Sequence, residues 1–156
     1  MNDSSTKDRV SLTVAEARAL GEAAMRGAGY AEDEAWILTD HVLDAALCGY
    51  EYSGLPKLLN VVDAADFKLP RRPVTVLREA GPTALVDGGN NNGMIAAYRA
   101  AEITIARAKA NGFAIVSLAN TWMTGRSAYY CEMIARAGMV VIHTVAAPPA
   151  VAPFGG

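Results

Sequence analysis

The feature that most constrains the fold is an alternation of strand-type and helix-type patterns in the second half of the chain. Residues 113–118 (FAIVSL) and 139–144 (MVVIHT) are short apolar runs of the kind that form buried strands. Between them, residues 127–137 have apolar side chains at helical spacing, and Gly138 is suited to end that helix. The order strand, helix, strand predicts a βαβ unit with parallel strands and a right-handed crossover. The sequence therefore predicts an α/β fold.

The pattern changes at residues 70–73 (PRRP), a stiff connector that we take as the internal boundary. Upstream, a capping box at Thr13 and Glu16 opens one helix, and a second helix fits residues 31–48. Downstream, residues 74–77 and 83–86 predict short strands, 87–93 (DGGNNNG) a sharp loop, and a long helix follows to about residue 110. We divide the chain into a flexible tail (1–11), a helical segment (12–70) and an α/β domain (71–156).

Composition and charge exclude several classes of protein. The formal net charge of −2 predicts no general attraction to nucleic acid or to anionic membranes. No apolar run approaches the ~18 residues of a membrane span, and the first ten residues lack the apolar core of a signal peptide. Cys48 and Cys131 are too few and too far apart for a disulfide scaffold or a CxxC metal site. We therefore expect a cytoplasmic protein.

Ligands of open α/β sheets bind beyond the carboxyl ends of the strands, which here are residues 119–126 and 145–156. In the first segment, Arg126 and the free N–H groups of a helix start could hold a carboxylate or phosphate. A capped helix start with a surface arginine is an equal alternative. His41 is interpreted as a partly exposed structural histidine and His143 as a core histidine. Two isolated histidines make neither a catalytic triad nor a metal site.

Several segments, taken in order, resemble the malate/L-lactate dehydrogenase family, whose members lack a Rossmann fold. The resemblance covers residues 12–156. It is carried by residues 45–49 (AALCG), 86–88 (VDG) with Gly93, 108–112 (AKANG), Tyr129 with Tyr130, and 151–156 (VAPFGG). It implies a three-layer, non-Rossmann α/β fold with a mixed sheet. It also implies a homodimer that transfers a hydride between NAD or NADP and a 2-hydroxy, 2-keto or cyclic imino acid.

The chain departs from the family where chemistry is expected. The family has Ser-His-Gly after the second helix, with the His as proton donor or acceptor, whereas this chain has Ser53 at the His position. Lys57 replaces an Arg that holds the substrate carboxylate, Met123 replaces a second His, and Ala146 replaces an Asn. We assign catalysis to Tyr52 and Ser53, substrate binding to Lys57, Met123 and Arg126, and cofactor binding to Asn120, Thr121 and Gly125.

Two functional hypotheses follow from these departures. In the first, the full-length protein is a divergent oxidoreductase in which Tyr52, with its pKa lowered by Lys57, replaces the missing histidine acid. The aromatic residues near the predicted site favour a bulky or cyclic acid. In the second, the chain is a catalytically incompetent fragment or a pseudoenzyme that serves as an interaction or oligomerisation module. Its last residues fall inside a family motif, so we expect a truncated domain with little turnover alone.

Overall fold

The fold is described by a computed structural model that covers residues 10–146. Within these residues the chain forms five α-helices and three β-strands, with a short 3₁₀ turn on either side of the third helix. In chain order the elements are α1 (Val14–Gly27), α2 (Glu32–Leu47), α3 (Lys57–Asp63), β1 (Thr75–Ala80), β2 (Thr83–Asn92), α4 (Gly93–Asn111), β3 (Ile115–Trp122) and α5 (Ser127–Arg136). None of the helices in this described part is long and apolar enough to cross a membrane.

The first helix begins where the sequence predicts. The Glu16 carboxylate accepts a hydrogen bond from the Thr13 backbone N–H at 2.8 Å, and the Thr13 hydroxyl accepts one from the Glu16 N–H at 3.2 Å. These bonds satisfy donors that the first helical turn leaves unpaired, and they confirm the predicted capping box. α1 approaches α2 closely at Gly21, where an added Cβ would lie 2.7 Å from Cγ2 of Thr39. α1 thus supports α2, which contacts both candidate site loops.

The three strands form one mixed sheet in the order β1-β2-β3. β1 and β2 are antiparallel neighbours, whereas β2 and β3 are parallel and are connected by α4. The α/β class with a mixed sheet and a βαβ unit is therefore confirmed. The unit consists of β2, α4 and β3, however, and lies further upstream in the chain than the pattern of residues 113–144 predicts.

The prediction of a strand at residues 139–144 is wrong. These residues follow α5 without belonging to any strand of the described sheet. Val140 and Ile142 are almost fully exposed, with relative accessibilities of 99% and 91%. The physical reason is that a strand needs hydrogen bonds from a neighbouring strand as well as an apolar sequence. Much of the second predicted ligand segment, residues 147–156, lies outside the described residues.

Helix α4 lies at the centre of the molecule. It packs against β2 and β3 on one side and against α2 on the other, so that a sheet and two helical layers are stacked. Short buried side chains on α4, such as Ala96 and Ala100, allow this close approach. The main apolar cluster combines α2, α3 and the start of α4, with Leu38, Val61 and Met94 at most 4% exposed. The division of the chain at residues 70–73 stays a prediction.

Candidate functional site

Strand β2 runs through residues 87–92, so the prediction of a sharp loop at 87–93 is wrong. Its pairing with β3 nevertheless breaks after Asp87 and resumes at Asn91. Gly89 and Asn90, inside the break, have φ values of +61° and +62°. The Asn91 side-chain amide donates to the backbone carbonyl oxygen of Gly88 at 2.7 Å and to that of Arg72, in the connector before β1, at 2.6 Å. One local and one distant side-chain bond therefore hold an irregular strand where the composition indicates a turn.

Asp87 and Asn120 connect the two parallel strands at the break in their pairing. Asp87 Oδ1 accepts hydrogen bonds from the Gly89 N–H at 2.9 Å and from Asn120 Nδ2 at 3.0 Å, and both lower the pKa of the Asp87 carboxyl. Asn120 lies inside β3 rather than in a loop, with a φ of +54°. It is exposed, and its amide oxygen has no partner among residues 10–146. Thr121 also lies in β3, and its hydroxyl donates to the Asn91 carbonyl oxygen at 2.8 Å.

Residues 123–126, which we call the β3–α5 loop, turn sharply away from the end of β3. Met123 and Gly125 have φ values of +55° and +67°. The Thr124 carbonyl oxygen accepts a hydrogen bond from the Tyr130 hydroxyl at 2.6 Å. At Gly93, the first residue of α4, an added Cβ would lie 2.7 Å from Cα of Thr124. The loop is therefore tightly packed against the starts of two helices.

His41 of α2 contacts this loop from the opposite side. Its Nε2 accepts a hydrogen bond from the Arg126 backbone N–H at 2.9 Å. The ring is 1% exposed and packs beside Tyr129 and Tyr130, with ring centroids 4.7 and 5.5 Å away. Burial, with the Arg126 charge as the second cause, lowers the pKa of His41 to about 4. The expectation of a partly exposed histidine is therefore wrong. His143, expected in the core, is exposed.

The guanidinium of Arg126 is already bound by carboxylates of the protein. Nη1 donates to Asp44 of α2 at 2.7 Å, and Nη2 donates to Glu132 of α5. The Arg126 side chain is 15% exposed. The hydrogen bond to Glu132 raises the pKa of Arg126, so the group stays charged. A substrate carboxylate at this guanidinium would have to share it with Asp44 and Glu132, and the Arg126 role in substrate binding stays a prediction.

The other predicted site residues lie in the segment that follows α2. Tyr52 and Ser53 belong to a 3₁₀ turn, and Lys57 begins α3. Tyr52 is 78% exposed, and its ring contacts that of Tyr50 at a centroid distance of 6.4 Å. Among residues 10–146, neither the Tyr52 hydroxyl nor the Lys57 ammonium has a hydrogen-bonding or ion-pair partner. Both groups are therefore available to a ligand, and their assigned roles stay predictions.

In the structure, the two predicted site segments both pack against the main apolar cluster. Leu55, next to the Tyr52 turn, and Met123 of the β3–α5 loop both pack on the main apolar cluster. α2 connects them, because its middle residues hold the loop and its last turn leads into the Tyr52 segment. His41 was not assigned to the site from the sequence. Its spacing from buried Leu38 and Ala45 on α2, three and four residues away, is the signal that identifies its inward position.

The fold and these loops define an α/β protein whose candidate ligand site lies at the carboxyl ends of two parallel strands. A sequence model of the malate/L-lactate dehydrogenase family matches residues 12–156. The chain therefore belongs to the malate/L-lactate dehydrogenase family, and the resemblance read from its motifs is confirmed.

Individual relatives agree with this assignment. Hydroxycarboxylate dehydrogenase B of Escherichia coli K12 is 34% identical over 140 residues, which cover 86% of this chain and 38% of that protein. L-sulfolactate dehydrogenase of Methanothermobacter thermautotrophicus is 32% identical and is covered over 37% of its length. The structure of malate dehydrogenase from Pyrococcus horikoshii superposes with a TM-score of 0.78 at 28% identity, covering 83% of this chain and 38% of that one. The chain thus spans less than half the length of these relatives.

Proposed function

We propose that this chain forms the substrate-binding part of an oxidoreductase that transfers a hydride between NAD or NADP and a 2-hydroxy or 2-keto acid. The observation that carries the proposal is that the exposed Tyr52 segment and the partly buried β3–α5 loop of a family member both lie against one apolar cluster to which α2 contributes. The relatives are named as dehydrogenases of hydroxycarboxylates, malate and sulfolactate, and malate and sulfolactate are 2-hydroxy acids. A cytoplasmic homodimer is part of the same proposal.

In this proposal Lys57 and Tyr52 act on the substrate. The Lys57 ammonium, which has no hydrogen-bonding or ion-pair partner among residues 10–146, attracts the substrate carboxylate, the group that 2-hydroxy and 2-keto acids share. In the reducing direction the Tyr52 hydroxyl gives its proton to the keto oxygen, and in the oxidising direction the phenolate removes the hydroxyl proton. Ser53, which follows Tyr52 in the sequence and stands at the position of the family's histidine, is assigned to catalysis with it. The aromatic pair of Tyr50 and Tyr52 favours an acid with a bulky or cyclic side chain.

Asn120, Thr121 and Gly125, the residues expected to face the cofactor, offer hydrogen-bond acceptors and uncovered backbone. The amide oxygen of Asn120, unpaired in the described part of the chain, can accept a hydrogen bond from a carboxamide N–H, the group that nicotinamide presents. The Thr121 hydroxyl is occupied by a backbone carbonyl, so only its oxygen can accept a bond. Gly125 presents backbone without a side chain. When bound, the nicotinamide would supply or accept the hydride, and Asn120, Thr121 and Gly125 would hold its carboxamide side.

A second candidate function is an interaction or oligomerisation module without catalysis. Two observations favour it: the two histidines of the family are replaced by Ser53 and Met123, and apolar side chains such as Val140 and Ile142 are exposed. Apolar surface of this kind favours association. The two functions predict different ligands, because only the oxidoreductase must bind a reduced nicotinamide.

Fluorescence titration of the 156-residue chain with NADH and NADPH separates the two functions. Saturable binding of either dinucleotide is expected for the oxidoreductase. Concentration-dependent association in ultracentrifugation, with no dinucleotide binding, would instead support the interaction module.

The roles of individual residues require turnover measurements in the longest protein that the gene encodes. Tyr52→Phe is expected to lower kcat by roughly 100-fold or more, the usual contribution of a general acid. Tyr50→Phe is the matched control and should leave kcat within about twofold. Lys57→Ala should raise KM for the acid, whereas the KM of Lys57→Arg should lie close to that of the parent. An unchanged kcat in Tyr52→Phe would exclude Tyr52 as the acid.

A further inference from the structure

His41 is a buried, hydrogen-bonding residue for which the proposed reaction has no direct use. It is 1% exposed, in the middle of α2, and its Nε2 accepts the Arg126 backbone N–H at 2.9 Å. This bond crosses 85 residues of sequence and joins the helical segment to the β3–α5 loop. Arg126 directly precedes α5, where backbone N–H groups have no partner within the helix. His41 thus serves the loop as an acceptor from outside the helix.

The loop and the imidazole ring are also matched in shape. At Gly125 an added Cβ would lie 2.3 Å from Nε2 of His41, and the Gly125 backbone has a φ of +67°. The loop can therefore pass over the ring only because residue 125 has no side chain. On the other side of the loop, the Tyr130 hydroxyl holds the Thr124 carbonyl at 2.6 Å. Residues 124–126 are fixed from two sides, by a donor and by an acceptor.

The unused nitrogen of His41 argues against a role in packing alone. Since Nε2 accepts a hydrogen bond, the proton of the neutral ring is on Nδ1. Nδ1 is buried and has no hydrogen-bond partner among residues 10–146. An unsatisfied buried donor destabilises a fold, and a leucine at this position would avoid that cost. The hydrogen bond that Nε2 accepts from the Arg126 N–H offsets this unfavourable contribution.

We propose that His41 is a positioning residue of the substrate site, which through the Arg126 backbone N–H holds the β3–α5 loop in its left-handed turn. The inference rests on the proposed function, because this loop carries Met123 at a position assigned to substrate binding. His41 touches neither substrate nor cofactor in this role. Its effect is to keep Met123, Gly125 and Arg126 in one geometry before substrate arrives, so that binding does not have to order the loop.

The structural part is tested in the 156-residue chain with His41→Gln and His41→Leu. The glutamine amide oxygen can reach the place of Nε2, whereas leucine has similar bulk and no acceptor. Trypsin cleavage after Arg126 reports release of the loop. We expect His41→Leu to be cut there at least tenfold faster than the parent, and His41→Gln to be cut at close to the parent rate. Equal cleavage in all three proteins would overturn the proposal.

A measurement on the parent keeps the test decisive if His41→Leu does not fold. Long-range ¹H–¹⁵N NMR of the imidazole distinguishes the two neutral tautomers. The proton is expected on Nδ1, together with a downfield amide proton for Arg126. A proton on Nε2 would show that the ring does not accept the Arg126 bond, and the inference would fail.

The link to the substrate is tested by steady-state kinetics in the longest protein that the gene encodes. His41→Leu should raise KM for the acid at least tenfold, with a smaller change in kcat, and His41→Gln should restore KM. An active parent with an unchanged KM in His41→Leu would refute the positioning role. A parent without turnover or dinucleotide binding would refute the proposed function and the substrate part of this inference. The trypsin and tautomer results would still decide whether His41 holds the loop.

Discussion

Replacement of Gly125 by alanine tests the packing of the β3–α5 loop on His41 most directly. At a φ of +67°, an alanine adopts a left-handed backbone that costs about 1–2 kcal/mol relative to glycine. Its Cβ would also lie 2.3 Å from Nε2 of His41, closer than any ordinary contact. The ring or the loop must then move, and the bond from the Arg126 N–H, worth about 0.5–1.5 kcal/mol, is lost. We expect Gly125→Ala to destabilise the fold by about 2–4 kcal/mol.

Gly138→Ala provides the matched control. Gly138 has a φ of +84°, but an added Cβ would meet nothing within 4 Å. This variant should therefore show only the backbone cost, about 1 kcal/mol. Urea unfolding followed by circular dichroism gives the free energies of unfolding of both variants and the parent. The loss of unfolding free energy should be larger in Gly125→Ala than in Gly138→Ala by at least about 1 kcal/mol. Equal losses in the two variants would show that the loop does not rest on the His41 ring.

Three further predictions follow from the same region. The folded pKa of His41, about 4, lies below its ordinary 6.5, so the unfolded chain binds the extra proton. The free energy of unfolding should therefore fall as the pH falls from 6.5 toward 4, and this group contributes about 1.4 kcal/mol per pH unit. In His41→Gln, urea unfolding should show a smaller dependence of the free energy of unfolding on pH. Arg126→Ala leaves Asp44 and Glu132 without their cation and should lower the free energy of unfolding by about 2 kcal/mol in the same urea assay. Arg99→Ala should lower it by less than about 1 kcal/mol, because its partner Asp33 is 63% exposed. Tyr130→Phe removes the bond to Thr124 and should lower stability by about 1 kcal/mol, while thermal unfolding of Tyr52→Phe should match the parent because Tyr52 is 78% exposed.

Local patterns in the sequence were sufficient to predict most of the helices. The capping box at Thr13 and the helix over 31–48 depend on side chains within one or two turns of each other, and both are present. The sheet was less predictable. Residues 87–92 and 119–122 have the composition of loops, yet they belong to strands because each strand supplies hydrogen bonds to the other. Residues 139–144 have the composition of a strand and lack such a partner in the described sheet.

In the candidate site too, features set by neighbouring residues could be predicted, whereas features set by contacts between residues far apart in the sequence could not. Tyr52, Ser53 and Lys57 were located from motif positions within a single segment. Within the described range 10–146, nothing pairs with the Tyr52 hydroxyl or the Lys57 ammonium. The state of Arg126 depends on Asp44, 82 residues away, which no local pattern reports. The burial of His41 depends likewise on Tyr129 and Tyr130 of α5.

The sequence by itself determined the α/β class, the approximate limits of most helices and membership in the malate/L-lactate dehydrogenase family. Periodicity, capping and motif order are properties of neighbouring residues, so they can be read along the chain. Only the tertiary structure decided which strands pair, that Arg126 is bound by two carboxylates, and that buried His41 accepts a hydrogen bond from the β3–α5 loop. Each of these depends on desolvation and hydrogen bonding between groups that come together only when the chain has folded.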